Sequence, residues 1–222
     1  MLEVSQGPEP VAVPEIVGVD EATAKANLDD AGLVYDDELS STQFSDTVAA
    51  GIVISASGKD DAGAVIPLAN GASYFDQRPV GLVVSLGQLP AIAGMSLEQA
   101  IAALKEVDVI GIEGSRTFDD TIPVDAVIRA EPQNAGDPIR PNDTVLIVIS
   151  KGVDLVEIPD IIGRSVNDAG QRLRDAGFVV NTDGVDVNKA FWDVAEVQSF
   201  SPGEVGGSLK RGTTIKIFSH YD

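Results

Sequence analysis

The sequence predicts an α+β fold of three tandem small repeats, each with one helix packed on a small, mainly antiparallel three-stranded sheet. Two observations support this fold class. A proline-centred motif recurs at residues 13–18, 89–94 and 158–163, and each copy is followed by a helical pattern and then by strand patterns. Ordered landmarks of this kind indicate a repeat architecture, in which each repeat contacts only its neighbours. We therefore expect an elongated rod.

The repeats keep their register beyond the motif. Its prolines, Pro14, Pro90 and Pro159, are 76 and 69 residues apart. The same two spacings separate the leucines of the helices that follow, which are Leu28, Leu104 and Leu173. A further landmark is a phenylalanine with an aspartate two positions later, found at Phe44, Phe118 and Phe191. Several landmarks in one order make chance similarity an inadequate explanation.

Each helix has its own start and stop signals. A short polar side chain that can cap a helix follows each motif glycine, at Asp20, Ser96 and Ser165. Ser96 and Gln99 have the spacing of a capping box. Gly32 and Gly177 end the first and third helices, since glycine tolerates a positive φ best. The second helix has Asp108 there, which aspartate can accommodate at some cost.

The strands follow the helices. A segment rich in Val and Ile, a turn with Gly or Pro, and an alternating closing strand complete each repeat, and the closing strands include residues 82–85, 145–148 and 214–217. We place an extended lead-in at 1–12 and the repeats at 13–87, 88–152 and 153–222, and call these repeats 1, 2 and 3. The linkers between them are short.

Composition excludes several classes of function. The formal net charge of −20 disfavours binding to nucleic acid or to anionic lipid. The absence of cysteine excludes disulfides, thiolate metal sites and a cysteine nucleophile, and the one histidine cannot form a multi-histidine metal site. No Ser-x-x-Lys or phosphate-binding Gly-rich motif is present. We expect no catalytic site, metal site or cofactor, and so no enzyme.

The sequence shows neither an apolar stretch of about 18 residues, as a membrane span requires, nor a leader peptide. We interpret the chain as either cytosolic or a piece of a larger protein. The order of motif, capped helix ending in Gly, Val-Ile strand, Pro-x-x-x-Gly turn, closing strand and Ser-Lys-Gly resembles the PASTA domain, most clearly in repeat 3. The resemblance covers about residues 13–222.

The resemblance implies a function as well as a fold. PASTA domains occur in the extracellular regions of bacterial receptor Ser/Thr kinases and at the ends of some penicillin-binding proteins. It therefore implies a module on the extracellular side of the bacterial cytoplasmic membrane that senses or anchors to the cell wall. The implied partners are peptidoglycan fragments or a lipid-linked cell-wall precursor, with ligand-dependent dimerisation of the parent. The alternatives are an appendage of a penicillin-binding protein and a structural spacer without a ligand.

Repeat 1 departs from this pattern. It has extra residues around 74–78, and it has Ser57-Gly58 where the other repeats have Glu131-Pro132 and Ser201-Pro202. This departure is consistent with a spacer that does not share the ligand of the other repeats.

The charge is unevenly distributed along the chain. The lead-in with repeat 1 has 3 basic and 14 acidic residues, repeat 2 has 5 and 10, and repeat 3 has 7 and 11. Because muropeptides carry carboxylates, a binding site should include a cation, and repeat 3 opposes an anion least. The candidate cations are Arg164, Arg172, Arg174, Lys210 and Arg211. Trp192 is the candidate for stacking on a sugar, whereas we expect Phe191 to pack under the helix.

Overall fold

The computed structural model describes residues 9–220. Within this range, repeat 1 together with the lead-in has the most strands. Its elements are β1 (Pro10–Ala12), α1 (Glu21–Asp30), β2 (Val34–Tyr35), β3 (Ser41–Gln43), β4 (Val53–Lys59), β5 (Val65–Leu68), β6 (Ser73–Phe75) and β7 (Pro79–Ser85). The main sheet has the order β2-β7-β4-β5, and β3 also pairs with β7. The strand that enlarges the expected three-stranded sheet is β5, so the extra residues do not lie around 74–78 as predicted. From Ser73 to Pro79, repeat 1 is as long as repeat 3 is from Ser208 to Thr214.

Part of the predicted lead-in is a strand. Residues 10–12 form β1, which pairs antiparallel with β6, and Val11 lies opposite Tyr74. Residues 1–8 of the lead-in lie outside the described part. The strand was missed because its partner is more than 60 residues away along the chain, and three residues carry no periodic pattern of their own.

Repeats 2 and 3 keep the predicted three-stranded sheet. Repeat 2 has α2 (Leu97–Lys105), β8 (Ile110–Thr117), β9 (Val127–Pro132) and β10 (Thr144–Ser150), in the order β8-β10-β9. Repeat 3 has β11 (Leu155–Glu157), α3 (Val166–Ala176), β12 (Val179–Asp186), a 3₁₀ turn (Lys189–Phe191), β13 (Ser199–Ser201), β14 (Ser208–Lys210) and β15 (Thr214–His220).

The sheet of repeat 3 is mixed in direction. Its order is β12-β15-β13, in which β12 runs parallel to β15 and β13 runs antiparallel to it. The parallel pair follows from the topology, because the chain passes through the 3₁₀ turn, β13 and β14 between β12 and β15, so that no hairpin joins the two strands. A separate pair, β11 with β14, is antiparallel and corresponds to the pair of β1 with β6.

Each repeat buries its own apolar core between helix and sheet. The leucines used to align the repeats, Leu28, Leu104 and Leu173, are fully buried, each in a different cluster. The closing strands supply the facing residues, including Leu82, Ile147 and Ile217. Burial of one such side chain favours folding by about 1.5–3 kcal/mol. The helical leucine spacing therefore identified the core correctly.

The predicted N-terminal caps are confirmed, whereas at the C-terminal ends only Gly177 is the cap itself, since Ala31 caps α1 and Glu106 caps α2. The side chains of Asp20, Ser96 and Ser165 each accept a hydrogen bond from the backbone N–H three residues later, and Ser96 with Gln99 forms the complete capping box. Gly177 ends α3 in the left-handed conformation, with φ 97°. Gly32 (φ 71°) and Asp108 (φ 59°) also have a positive φ, one and two residues beyond the caps of α1 and α2.

The linkers are fixed by a repeated hydrogen-bond pattern. The buried Ser85 hydroxyl donates to the Val48 carbonyl (2.7 Å) and accepts from the Gly87 N–H (2.9 Å). Ser150 does the same with the Ile122 carbonyl (2.7 Å) and the Gly152 N–H (2.8 Å). A serine at the end of a closing strand thus orders the turn that leaves the repeat.

The chain divides into two compact units that do not follow the repeats. The first unit runs to Ser115 and includes Ala126–Ile149, and the second comprises Arg116–Asp125 with the chain from Ser150 onward. The loop 116–125 of repeat 2 belongs to the second unit because its backbone bonds the linker there: the Asp119 N–H donates to the Gly152 carbonyl (3.0 Å).

Candidate functional site

Two of the predicted cations converge at the start of α3. Arg172 Nε lies 2.9 Å from Asp168 Oδ2, and Arg164 Nη1 lies 3.4 Å from the same oxygen. The hydrogen bond from Arg172 is the largest cause that lowers the pKa of Asp168, so the carboxylate stays ionised. Two guanidinium groups share one carboxylate, so the cluster has a net positive charge on a strongly acidic chain.

Arg174 lies on another part of the same helix. Its Nη2 is 3.4 Å from Gln171 Oε1, and its guanidinium lies over Gly170, where an added Cβ would be 3.2 Å from Nη1. The structure does not bring Arg174 to the shared carboxylate of Asp168. It remains an exposed cation on the helix.

Lys210 and Arg211 are engaged within the second compact unit. Lys210 forms an ion pair with Asp120 in the loop 116–125. Arg211 Nε lies 2.7 Å from Asp154 Oδ2, and its Nη1 donates to the Ala176 carbonyl (3.2 Å) at the end of α3. A cation is favourable at a helix C-terminus. A ligand carboxylate would therefore have to compete with existing partners at both residues.

Of the adjacent aromatic residues Phe191 and Trp192, only Phe191 differs from expectation. Trp192 is half-buried against the repeat 3 core, and its Nε1 donates to the Val187 carbonyl (3.0 Å). Phe191 is 53% exposed, so the prediction that it packs under the helix is wrong.

The structure also shows that Phe191 does not occupy the position of Phe44 in repeat 1. Gln43 pairs with Ser85, the last residue of β7, and Asp186 pairs with His220, the last residue of β15. Val187 therefore occupies in repeat 3 the place that Phe44 occupies in repeat 1. Phe191 comes four residues later, on the 3₁₀ turn.

A groove in the first compact unit holds a cation that the sequence analysis did not select. A cavity of about 390 Å³ is lined by Gln133, Asn134, Asp137, Arg140 and Asp143, among others. A second cavity of about 270 Å³ is lined by Phe44 and Leu89 and shares four residues with the first, namely Pro132, Asp137, Pro138 and Ile139. The two cavities form one groove, which we call the Arg140 groove.

The charges of this groove suit a ligand with both donors and acceptors. Within residues 9–220, no carboxylate lies within ion-pair distance of the Arg140 guanidinium. Asp143 Oδ2 accepts from the Arg140 backbone N–H (2.9 Å), and Asp137 Oδ2 accepts from Asn134 Nδ2 (3.0 Å). Among the described residues of the groove, one unpaired guanidinium lies with three carboxylates, those of Asp46, Asp137 and Asp143, and with two amides. This set matches a peptide with a free carboxylate better than a bare anion.

Sequence reasoning missed Arg140 because it ranked cations by the net charge of each repeat. Which cation is free depends on partners that are distant in sequence: Lys210 pairs with Asp120, 90 residues away. The signal that could have found Arg140 is its position as the one Lys or Arg in the turn between β9 and β10.

Two further features, a metal-binding cluster and a membrane-spanning helix, are not found among the residues that the structure describes. Over that range, no three acidic or histidine side chains converge to hold a metal ion. Over the same range, no helix has the length and apolar character needed to cross a membrane.

Comparisons with known proteins agree with the repeat pattern. The chain matches the PASTA domain family over residues 11–66, 87–151 and 156–219. It is 32% identical to a probable serine/threonine-protein kinase of Corynebacterium efficiens, over 80% of this chain and 25% of that protein. It is 29% identical to one of Clostridium perfringens, over 100% of this chain and 31% of that protein. The chain thus spans about a quarter to a third of the length of these relatives.

One solved structure is the three-PASTA-domain of a Ser/Thr kinase from Staphylococcus aureus, with 20% identity and a TM-score of 0.42. The match covers 94% of this chain and 98% of that chain.

Proposed function

The chain belongs to the PASTA domain family, and from that premise we propose that it is the cell-wall-sensing or anchoring module of a transmembrane Ser/Thr protein kinase. The observation that carries the proposal is the threefold family match together with the kinase relatives, which are similar over most of this chain. The module would lie on the extracellular side of a bacterial membrane. Its ligand would be a peptidoglycan fragment or a lipid-linked cell-wall precursor, and ligand capture would favour dimerisation of the parent kinase.

We propose the Arg140 groove as the binding site for the peptide part of this ligand. A stem peptide carries a carboxylate, to which Arg140 can donate two hydrogen bonds in bidentate geometry. It also carries amide or amine N–H groups, from which Asp137 can accept hydrogen bonds. The groove also offers apolar contact through Phe44 and Leu89. It combines a concave shape with a cation that needs no existing ion pair to be broken.

The cluster of Arg164, Asp168 and Arg172 is a second candidate seat. What favours it is its net positive charge, since two guanidinium groups share one carboxylate. It lies near the exposed Phe191, because the Asn167 N–H donates to the Trp192 carbonyl next to it (3.2 Å). This seat keeps the predicted roles of Arg164 and Arg172. Arg174, Trp192, Lys210 and Arg211 stay predictions as ligand-binding residues.

Calorimetric titration of the full chain with a soluble disaccharide-peptide from peptidoglycan distinguishes the seats. We expect Arg140→Ala to weaken binding about tenfold, the loss of a charge-assisted hydrogen bond. Lys105→Ala is the matched control, an exposed cation of repeat 2 outside the groove, and should bind as the unmodified chain does. If Arg164→Ala with Arg172→Ala abolishes binding and Arg140→Ala does not, the seat is on repeat 3.

Retention on purified, insoluble peptidoglycan tests the function itself. The proposed function predicts saturable retention of the full chain. A structural spacer would show none, and that result would overturn the proposal. A penicillin-binding-protein parent would be revealed by transpeptidase sequence in the same gene.

A further inference from the structure

Repeat 1 contains an interrupted strand that opens a cleft. β2 and β3 both pair parallel with β7, Tyr35 opposite Val80 and Ser41 opposite Val83, so they are two parts of one strand. In repeat 3 the corresponding β12 continues with only an irregularity between Asn181 and Gly184. The interruption in repeat 1 is the loop 36–40. Beside it lies a cleft of about 330 Å³, at the lower end of the range for small-ligand sites.

The loop is held firmly in place. Asp36 Oδ1 accepts from the N–H groups of Glu38 (2.9 Å) and Leu39 (3.2 Å). The Ser40 hydroxyl donates to the Asp36 carbonyl (2.6 Å) and accepts from the Leu82 N–H (3.0 Å). At Gly81, a Cβ would lie 2.4 Å from the Leu39 carbonyl oxygen, so only glycine lets the loop approach. The cleft is therefore preformed, and a ligand would spend little free energy on ordering it.

The cleft is lined by polar groups together with a small apolar surface. Tyr35, Asp37, Ser41 and Thr42 supply the polar groups, and Val84, which is 7% exposed, contributes to the apolar surface. The Tyr35 hydroxyl donates to Asp37 Oδ1 (3.2 Å), which leaves the second carboxylate oxygen free to accept. Hydroxyl and carboxylate groups around an apolar surface match a ligand that has several hydroxyl groups and an apolar face.

The charges around the cleft favour a neutral ligand. The carboxylate of Glu21 is already paired with Lys25 Nζ (2.7 Å), and that ammonium lies 4.0 Å from the Tyr35 ring centroid. A cationic ligand would meet the Lys25 ammonium at the same ring. An anionic ligand would meet the Asp37 carboxylate in the most acidic third of the chain.

We propose that this cleft binds an uncharged sugar ring of a glycan strand, with Asp37 and Thr42 as hydrogen-bonding groups for its hydroxyls. The choice of a glycan rests on the proposed cell-wall function, and the choice of a neutral ring rests on the cleft. Repeat 1 then has a ligand of its own and is more than a spacer. Its ligand differs in charge from the peptide carboxylate assigned to the Arg140 groove.

The test is a titration of the full chain with an uncharged trisaccharide of N-acetylglucosamine, followed by amide NMR shifts. We expect millimolar binding, with the largest shifts at residues 35–42. Asp37→Asn and Thr42→Ala, both at exposed side chains, should weaken binding about tenfold and threefold, as loss of a charge-assisted and of a neutral hydrogen bond predicts. Asp30→Asn is the matched control at an exposed carboxylate of α1 and should leave the affinity unchanged.

Three outcomes would overturn the proposal. The first is that the NMR shifts map outside residues 35–42. The second is that Asp37→Asn and the unmodified chain bind the trisaccharide with equal affinity. The third is that the cationic deacetylated trisaccharide binds more tightly than the uncharged one. Failure of this proposal is separate from failure of the proposed function. If the chain is retained on peptidoglycan but does not bind the trisaccharide, only the proposal for the cleft is contradicted. If it binds the trisaccharide but is not retained, only the proposed cell-wall function is contradicted.

Discussion

Repeats 1 and 3 stabilise the same scaffold in different ways. In both, a helix packs on the closing strand, and a short strand before the repeat pairs with a strand near its end, β1 with β6 and β11 with β14. At equivalent places in these pairs, Val11 lies opposite Tyr74 and Val156 lies opposite Leu209. Tyr74 is buried, and its hydroxyl bonds the backbone of Lys59 and Pro79. Leu209 has no such group.

Repeat 3 uses charged groups at the same end. Lys210 and Arg211 follow Leu209 and form ion pairs with Asp120 and Asp154. Repeat 1 has Phe75 where repeat 3 has Lys210. The comparison teaches that the helix-on-sheet core is constant, whereas the polar groups that close it vary. We therefore expect the repeats to share their response to core mutations and to differ in their response to acid.

The largest effect should come from the shared core. Leu28→Ala in repeat 1 and Leu173→Ala in repeat 3 should each lower the free energy of unfolding of their repeat by about 2–5 kcal/mol, because both remove a fully buried leucine. Urea unfolding with residue-resolved hydrogen exchange measures this. Each variant should lose protection in its own repeat. Equal loss in both repeats from either variant would show that the cores are not independent.

The Tyr74 hydroxyl should account for a smaller difference. It accepts from the Lys59 N–H (2.9 Å), and Tyr74→Phe would leave that half-buried donor without a partner. We expect a loss of about 1–3 kcal/mol in the free energy of unfolding, confined to repeat 1. Gly58→Ala should also destabilise repeat 1, since its Cβ would lie 2.5 Å from the Tyr74 hydroxyl. If neither substitution changed the free energy of unfolding, the hydrogen bonds of the Tyr74 hydroxyl would not stabilise the repeat.

The helix caps should make the stabilities of α1 and α3 respond differently to low pH. Ser165→Ala should lower the stability of α3 by about 1 kcal/mol at every pH, because the serine cap carries no titratable group. Asp20 caps α1, and the hydrogen bonds from Thr23 hold its pKa below 3.8. Its stabilisation is therefore present above pH 3.8 and is lost as the pH falls through its folded pKa.

Acid should thus weaken α1 through its cap and leave the cap of α3 unchanged. Asp20→Ser supplies a cap that does not titrate, so it should remove the part of the acid response that arises at α1. Helix-resolved carbon shifts measured between pH 5 and 2 test this. An acid response of α1 that is identical in Asp20→Ser would contradict the assignment.

The smallest expected effect is a pKa change at Asp168. Arg172→Ala removes the main hydrogen bond that lowers the pKa of this carboxyl, which should move upward towards 3.8. Arg164 still lies 3.4 Å from the carboxylate and should keep the pKa from reaching that value. Carboxyl carbon shifts during titration measure it. No change would mean that the two guanidinium groups do not share Asp168 in solution.

The candidate site could be predicted only in part. Arg172 and Arg174 were selected as candidates from the sequence and lie on α3, but the partners of the candidate cations could not be predicted. The free guanidinium of Arg140 and the exposed Phe191 were both missed, because each depends on the folded arrangement of loops. The interrupted strand of repeat 1 was also missed, because only the pairing of β2 and β3 with β7 shows that they are two parts of one strand.

The number of repeats, the N-terminal helix caps and the buried leucines could be read from the sequence alone. These features depend on neighbours three or four residues away, so their periodic pattern is visible along the chain. Tertiary structure alone decided the pairing of β1, the division into two compact units and which charges remain free. The physical reason is that a strand pair or an ion pair depends on partners brought together from distant positions, as Lys210 and Asp120 are.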